Sequence, residues 1–289
     1  MRPLPPFARR LSLIGALASL SLAACDRAAE PPPAPAAPAP EPAAPPPTPL
    51  QPVVDRAELL RALDAAASAF AAGQPDNGAA LDGRRYSVRQ AFGCAGPAPG
   101  GAARPAGLAS WTWGPRNQTI ELALQPADWT GDLGAGDGDA PEAIEGFWLA
   151  RPWMRADGCP AASVNPPAPP PEDAALTKAG TTRAPSTPPA QRQTAGLASV
   201  FAQGGSRVGR RDGRAFTHTI RGEDGPPAAP NAGFRLVIEG RFTAFPGGQA
   251  VRCRAGGQDE RPVCMAASTI DRVVFETAEG QQLSEWRPG

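Results

Sequence analysis

Proline is the residue that most constrains what this chain can fold into, because more than half of its 38 prolines fall in two stretches. Residues 31–52 contain 12 prolines and six alanines, and residues 160–195 contain nine prolines. Proline has no backbone N–H to give to a helix or a sheet. Neither stretch carries enough large apolar side chains to offset the entropy lost on ordering. Both stretches are therefore predicted to lie outside the folded core.

The two proline-rich stretches divide the chain into segments. Residues 25–52 are predicted to be a disordered tether, 53–159 a helix plus a β-rich half, 160–195 a flexible loop, and 196–289 a second β-rich half. At about 3.1 Å per residue in polyproline II, the 31–52 stretch reaches about 68 Å. Each half is large enough to fold, so one shared domain and two small domains both remain open.

The first 24 residues have the three regions of an export signal. A basic start with Arg2, Arg9 and Arg10 precedes an apolar run over residues 11–22 and a few small residues. The apolar run is shorter than the roughly 20 residues that span a bilayer. Residues 1–24 are therefore predicted to be a signal peptide that is removed on export.

The end of this signal reads Leu22-Ala23-Ala24-Cys25. This segment resembles the lipobox of bacterial lipoproteins, and the resemblance covers residues 1–25 only. It implies lipidation of Cys25, a membrane anchor made by that lipid, and a place in the bacterial cell envelope facing the periplasm. An ordinary signal beside an incidental cysteine is the alternative. Asp26 favours the inner membrane over the outer in some bacteria, so the choice of membrane stays open.

The charge balance excludes one class of partner. Removal of residues 1–24 takes away three arginines and leaves 25 basic and 28 acidic side chains. A net charge of −3 gives no general attraction to polyanions. We therefore predict no nucleic-acid partner.

The residue pattern after the tether predicts one helix followed by strands. Asp55 can cap the helix, Glu58 stands in capping-box position, Val54 and Leu59 can form a hydrophobic staple, and Gly73 can end it. About ten short runs with a period of two follow, separated by glycine and proline turns. The predicted fold is mainly β, an antiparallel sandwich or partly open barrel with one N-terminal helix.

Two hairpins stand out in this pattern. One joins the run around Trp111 and Trp113 to the run over residues 120–124. The other places an Asp212-Gly213 turn between strands over residues 206–211 and 214–221.

Four cysteines remain after Cys25. They are Cys94, Cys159, Cys253 and Cys264. An even number in an exported chain predicts disulfides, and the polar loop between Cys253 and Cys264 favours sequential pairing among the three arrangements. No C-x-x-C motif or Cys/His cluster occurs, so neither a metal nor another cofactor is predicted.

A hydrolase site is the weaker of two functional hypotheses. His218 is the only histidine, and Ser206 lies nearby in sequence without the G-x-S-x-G spacing. Because His218 alternates with Phe216 and Ile220, a packing role is favoured. An envelope hydrolase that uses Ser206 and His218, or two distant carboxylates, remains the alternative.

Two charge clusters are candidate ligand sites. The acidic cluster could bind Ca²⁺, but a solvated loop is the favoured interpretation. It contains Asp128, Asp132, Asp137, Asp139, Glu142 and Glu145. The basic cluster could bind an anion, but a solvated hairpin tip is the favoured interpretation. It contains Arg207, Arg210, Arg211 and Arg214.

Trp111 and Trp113 are predicted to pack in the core. The leading hypothesis is a lipid-anchored, non-enzymatic envelope module that binds a protein, glycan or lipid partner.

Overall fold

The structure is a computed structural model, and it divides the chain into residues 1–49 and residues 50–289. The signal peptide, Cys25 and almost all of the tether lie outside the described residues, as does most of the 160–195 loop. All elements below belong to the second unit. The structure describes residues 51–74, 78–99, 103–133, 140–160, 193–255, 257 and 259–288.

The described part of the chain is mainly β, as predicted, with one long helix near its start. The helices are α1 (Arg56–Ala71) and the single turn α2 (Thr130–Leu133). The strands are β1 (Arg85–Phe92), β2 (Ala109–Trp113), β3 (Thr119–Leu124), β4 (Ala127–Asp128), β5 (Ala143–Trp148), β6 (Ala195–Phe201), β7 (Phe216–Arg221), β8 (Phe234–Phe242), β9 (Val251–Arg254), β10 (Val263–Thr277) and β11 (Gln282–Trp286).

These strands form two sheets that do not close into a barrel among the described residues. The larger has the order β1-β8-β10-β6-β5-β4, with β9 and β11 also paired to β10, and the smaller has the order β2-β3-β7. Each sheet contains strands from both sides of the 160–195 stretch. Residues 53–159 and 196–289 therefore share one compact unit. One pair, β6 with β10, is parallel, which differs from the purely antiparallel arrangement expected.

The start of α1 follows the sequence signals closely. The Asp55 carboxylate accepts the Glu58 backbone N–H at 2.7 Å, which satisfies one of the free donors of the first turn. The Glu58 side chain pairs with Arg84 at 2.7 Å instead of returning to the cap, so the capping box is only half formed. Val54 is fully buried and bridges to Tyr86 of β1. Gly73 ends the helix with φ +71°, a conformation that favours glycine.

β10 is the spine of the larger sheet because it changes partners along its length. Its first part pairs with β9 on one edge and with β6 on the other, and its second part pairs with β8 and β11. A bulge interrupts the pairing with β8 between Ile270 and Arg272. β6 stays paired with β10 only up to the Ala198–Ala267 position, and the pairing of β11 with β10 begins at Val273. The two strands therefore leave a split along one edge of β10.

The core has two clusters of buried side chains. The larger collects the leucines of α1 with the inward-facing residues of both sheets, including Trp111, which is 1% exposed. Trp113 packs edge-on against Trp111, so the predicted core role of this pair agrees with the structure. The smaller cluster contains Trp129, whose ring lies over Gly146 and Gly196. A Cβ at Gly196 would lie 2.5 Å from the Met265 sulfur, so a larger residue does not fit there.

Both disulfides follow the sequential pairing that the sequence favoured. Cys94 is bonded to Cys159, and Cys253 is bonded to Cys264. The second bond joins directly opposite residues of β9 and β10. The first joins the end of β1 to the segment after β5.

One strand prediction was wrong. Residues 206–211 form turns rather than a strand, although Asp212 and Gly213 do make a turn with positive φ. β7 has its partner in β3 instead. The strand β6 was missing from the prediction because its sequence, AGLASVF, is rich in small residues.

Candidate functional site

The split that β6 and β11 leave along one edge of β10 opens into a cleft. Its cavity has a volume of about 210 Å³. β5 and β6 line one side, β10 and β11 the other, and the turn over residues 207–214 lies at its rim. The lining residues are Pro126, Glu145, Gly146, Phe147, Ser199, Phe201, Gly209, Arg210, Arg211, Phe216, Ile270, Arg272, Val273, Trp286, Arg287 and Pro288.

The floor of the cleft is aromatic and rigid. Phe216 is buried between two rings, with centroid distances of 6.0 Å to Phe147 and 5.4 Å to Trp286. Trp286 in turn contacts Phe275 at 5.2 Å. Edge-on aromatic contacts of this kind stabilise ring positions beyond the burial of area. The floor therefore offers a fixed apolar surface to a ligand.

The acidic and basic clusters of the sequence meet at one wall of the cleft. Glu142 pairs with Arg207 at 2.5 Å and also with Arg210. The Glu145 side chain is only 10% exposed, and its carboxylate accepts the Arg211 backbone N–H at 2.8 Å. These contacts fix the 207–214 turn against β5. The two clusters are counter-ions of each other here, so neither is wholly the solvated surface that the sequence favoured.

The remaining acidic residues of that cluster are separated in the structure. Asp128 accepts the Thr130 backbone N–H at 2.9 Å, and the hydrogen bonds from Thr130 lower the pKa of Asp128. Asp132 pairs with Arg254 at 2.9 Å. Within the described residues, no three His, Cys, Asp or Glu side chains converge as metal ligands. Asp137 and Asp139 lie outside the described residues.

Arg211 is held at the cleft by contacts that leave its charge without a carboxylate partner in the described part of the chain. Its guanidinium donates to the carbonyls of Arg214 at 3.2 Å and Ala215 at 2.9 Å. Its central carbon lies 4.3 Å from the centroid of the Phe216 ring. Burial, with a smaller effect of Arg214, lowers the pKa of Arg211, and the nearby charge of Glu145 opposes this shift in part. An anion placed here would relieve an unfavourable environment for this charge.

Two further arginines line the opposite wall. Arg272 donates to Glu239 at 3.2 Å and to Glu285 at 3.0 Å, and the Glu285 hydrogen bond raises the pKa of Arg272. Arg287 pairs with Glu285 at 2.5 Å, but its side chain is 65% exposed. Neither arginine was predicted as a site residue, because the last strands were interpreted only as core.

The candidate catalytic residues do not form a recognised arrangement in the described structure. Ser206 is exposed in a turn, where its hydroxyl accepts the Val208 backbone N–H at 3.3 Å. His218 is half-buried on β7, opposite Leu122 of β3. Burial lowers the pKa of His218. No contact joins Ser206 to His218 among the described residues, and neither lines the cleft.

A second cluster of polar contacts lies away from the cleft, beneath the start of α1. Arg56 is 4% exposed and donates to the carbonyls of Ala150 at 2.7 Å, Arg151 at 3.1 Å and Met154 at 3.2 Å. Gln90 accepts the Ala150 backbone N–H at 2.8 Å. Burial lowers the pKa of Arg56 to about 10. We call this cluster the arginine clamp, because it fixes the segment between β5 and Cys159.

No protein-family model, curated protein or solved structure matches this chain. Among the described residues, no helix is both long and apolar enough to cross a membrane.

Proposed function

We propose that this protein is a lipid-anchored binding module of the bacterial cell envelope, and that the cleft between β6 and β10 is its ligand site. The observation that carries the binding role is the cleft itself, with an aromatic floor and arginines on both walls. Ligand sites are typically concave, mainly apolar and furnished with a few oriented polar groups. The cleft has all three features.

Two features of the chain support the envelope location. The lipobox ending at Cys25 directs lipidation, and a lipid with two or more chains anchors a protein stably. The two disulfides are typical of proteins that mature in an oxidising compartment. From export and anchoring together, we infer that the cleft faces the periplasm.

The first experiment tests the anchor. Cys25→Ala removes the thiol that carries the lipid, so the variant is expected to leave the detergent phase or to remain unprocessed. A Cys94→Ala/Cys159→Ala variant keeps the lipidation thiol and serves as the control. Unchanged partitioning of Cys25→Ala into detergent would contradict the lipid anchor.

The second experiment tests the cleft. Ser199→Trp places a large ring in the cavity, and Thr219→Trp places the same ring on an exposed position of β7. Each full-length lipidated variant is used to capture components from detergent-solubilised envelopes. We expect Ser199→Trp to lose a component that the wild type and Thr219→Trp retain. Identical capture by all three proteins would contradict the cleft as the ligand site.

A further inference from the structure

The split beside the cleft leaves two strand edges without a partner between them. In the described structure, Ser199–Phe201 pair only with β5, and Thr269–Arg272 find their only strand partner in β8. On β10, the pairing with β6 ends at Ala267 and the pairing with β11 begins at Val273. Ser268 is 1% exposed, so the accessible part of this edge begins at Thr269. An unpaired edge presents backbone N–H and C=O groups that another extended chain can use. The cleft is therefore suited to accept a strand.

The dimensions of the split agree with a short strand. At about 3.3 Å per residue, the four residues of the open β10 edge span about 13 Å. This length accommodates an extended segment of about four residues, which is within the usual range of strand lengths in proteins. The apolar floor around Phe216 lies along one face of such a segment. Alternate side chains of the segment would reach that floor.

The charge of Arg211 favours an acidic segment. Four arginines and one carboxylate, Glu145, line the cleft. The other three arginines are already paired with carboxylates beyond the lining, and they are Arg210, Arg272 and Arg287. The carboxylate of Glu145 is already engaged by the Arg211 backbone N–H. The Arg211 guanidinium has carbonyl and aromatic contacts but no acidic partner in the described residues. A carboxylate brought by a ligand would form a charge-assisted hydrogen bond there.

We propose that the ligand is an extended, acidic peptide segment of another protein, which inserts into the split as an added strand and places a carboxylate at Arg211. This inference rests on the proposed function, because it names the occupant of the same cleft. Backbone hydrogen bonds to the open edge give general affinity, and Arg211 selects the acidic side chain or terminus. A glycan would engage the aromatic floor but would not use the strand edge.

The test starts from a displayed library of random peptides, selected on the full-length wild-type protein and counter-selected on Ser199→Trp. We expect the selected peptides to share an acidic residue within an extended, β-branched pattern. Binding should protect backbone amides of residues 199–201 and 269–272 from hydrogen exchange. Methylation of alternate backbone nitrogens in a selected peptide should weaken binding at least about tenfold, because each removes one backbone donor.

Two arginine variants test the charge. Arg211→Gln should weaken an acidic peptide about tenfold or more and leave its asparagine analogue nearly unchanged. Arg287→Gln, at an exposed side chain that pairs only with Glu285 in the described structure, should have a smaller effect in the same direction. It keeps the test valid if Arg211→Gln loosens the turn. Arg61→Gln on the exposed face of α1 is the control and should leave affinity unchanged.

The outcomes separate this inference from the proposed function. Peptides without an acidic consensus, binding that tolerates backbone methylation, or failure of the selection would overturn the strand insertion. A cleft-dependent component that survives protease treatment of the envelope extract would also overturn it, while leaving the binding module in place. Failure of the capture experiment with Ser199→Trp, in contrast, would remove the proposed function.

Discussion

Arg56 in the arginine clamp and Arg211 at the cleft differ in what surrounds their charges. Arg56 is buried, and its donors reach carbonyls of the 150–156 segment and the Gln90 side chain. Arg211 touches carbonyls of its own turn and one face of Phe216, beside an open cavity. The first arginine is enclosed by the structure that it holds, whereas the second faces a space that a ligand can fill.

This difference separates a stabilising arginine from a binding one. Loss of a buried donor leaves its acceptors without partners, which destabilises the fold. Loss of a guanidinium at a cavity mainly removes an interaction with the ligand. Mutations in the clamp region should therefore change the free energy of unfolding, and mutations at the cleft should change affinity.

The largest expected effect on stability is at the disulfide that closes the clamp region. Cys94→Ala/Cys159→Ala should lower the free energy of unfolding by about 4 kcal/mol, because the bond closes a long loop in the unfolded chain. The Cys253–Cys264 bond closes a shorter loop, so Cys253→Ala/Cys264→Ala should lower the free energy of unfolding by about 3 kcal/mol. Urea unfolding of both variants checks the order. A larger effect of Cys253→Ala/Cys264→Ala would contradict the view that the region of the arginine clamp depends more on its disulfide than β9 and β10 do on theirs.

The arginine clamp should come next. Arg56→Met should lower the free energy of unfolding by about 3 kcal/mol, since several buried carbonyls lose their donor. Arg61→Met, on the exposed side of the same helix, should change it by less than about 0.5 kcal/mol. Urea unfolding provides the measurement. Equal effects of the two substitutions would mean that the buried contacts of Arg56 contribute little.

Arg211→Gln should affect ligand binding more than stability. We expect a loss of less than about 1 kcal/mol in stability, because the contacts it removes are at a partly open site. Capture of the envelope component that Ser199→Trp loses should fall strongly. Stability and capture are measured on the same preparation. A large loss of stability with intact capture would mean that Arg211, like Arg56, stabilises the fold and does not bind the ligand.

The smallest expected effect is the pH dependence of His218. Burial lowers its pKa below the usual 6.5, so the unfolded chain takes up the proton at a higher pH than the folded one. Stability is therefore lost as the pH falls from about 6.5 toward the folded pKa, and the loss ends below it. His218→Gln should remove this part of the difference in unfolding free energy between about pH 7.5 and pH 5. An unchanged difference would mean that His218 is not the residue responsible.

Local signals predicted much of the fold. The cap at Asp55, the hairpin after Trp113 and the turn at Asp212 and Gly213 depend on neighbouring residues, and the structure has all three. β6 was missed because its small residues reflect the Trp129 and Met265 side chains packed against it. That requirement comes from residues distant in sequence.

The cleft was less predictable than the fold. The 207–214 arginines and Glu142 were noticed separately, but nothing local indicates that they meet across more than 60 residues of sequence. The split arises because β10 exchanges one partner strand for another along its edge. Such an exchange depends on the topology of the whole sheet. Individual strands predicted from a period of two carry no information about it.

Site-specific photo-crosslinking in intact cells tests the binding role of the cleft most directly. A photoreactive side chain is placed at Arg287 on the rim of the cleft, and the same group at Thr219 on exposed β7 is the control. We expect a discrete adduct from position 287 that disappears when Ser199→Trp fills the cavity, and no adduct from position 219. Equal adducts from both positions, or an adduct at 287 that persists with Ser199→Trp, would contradict it.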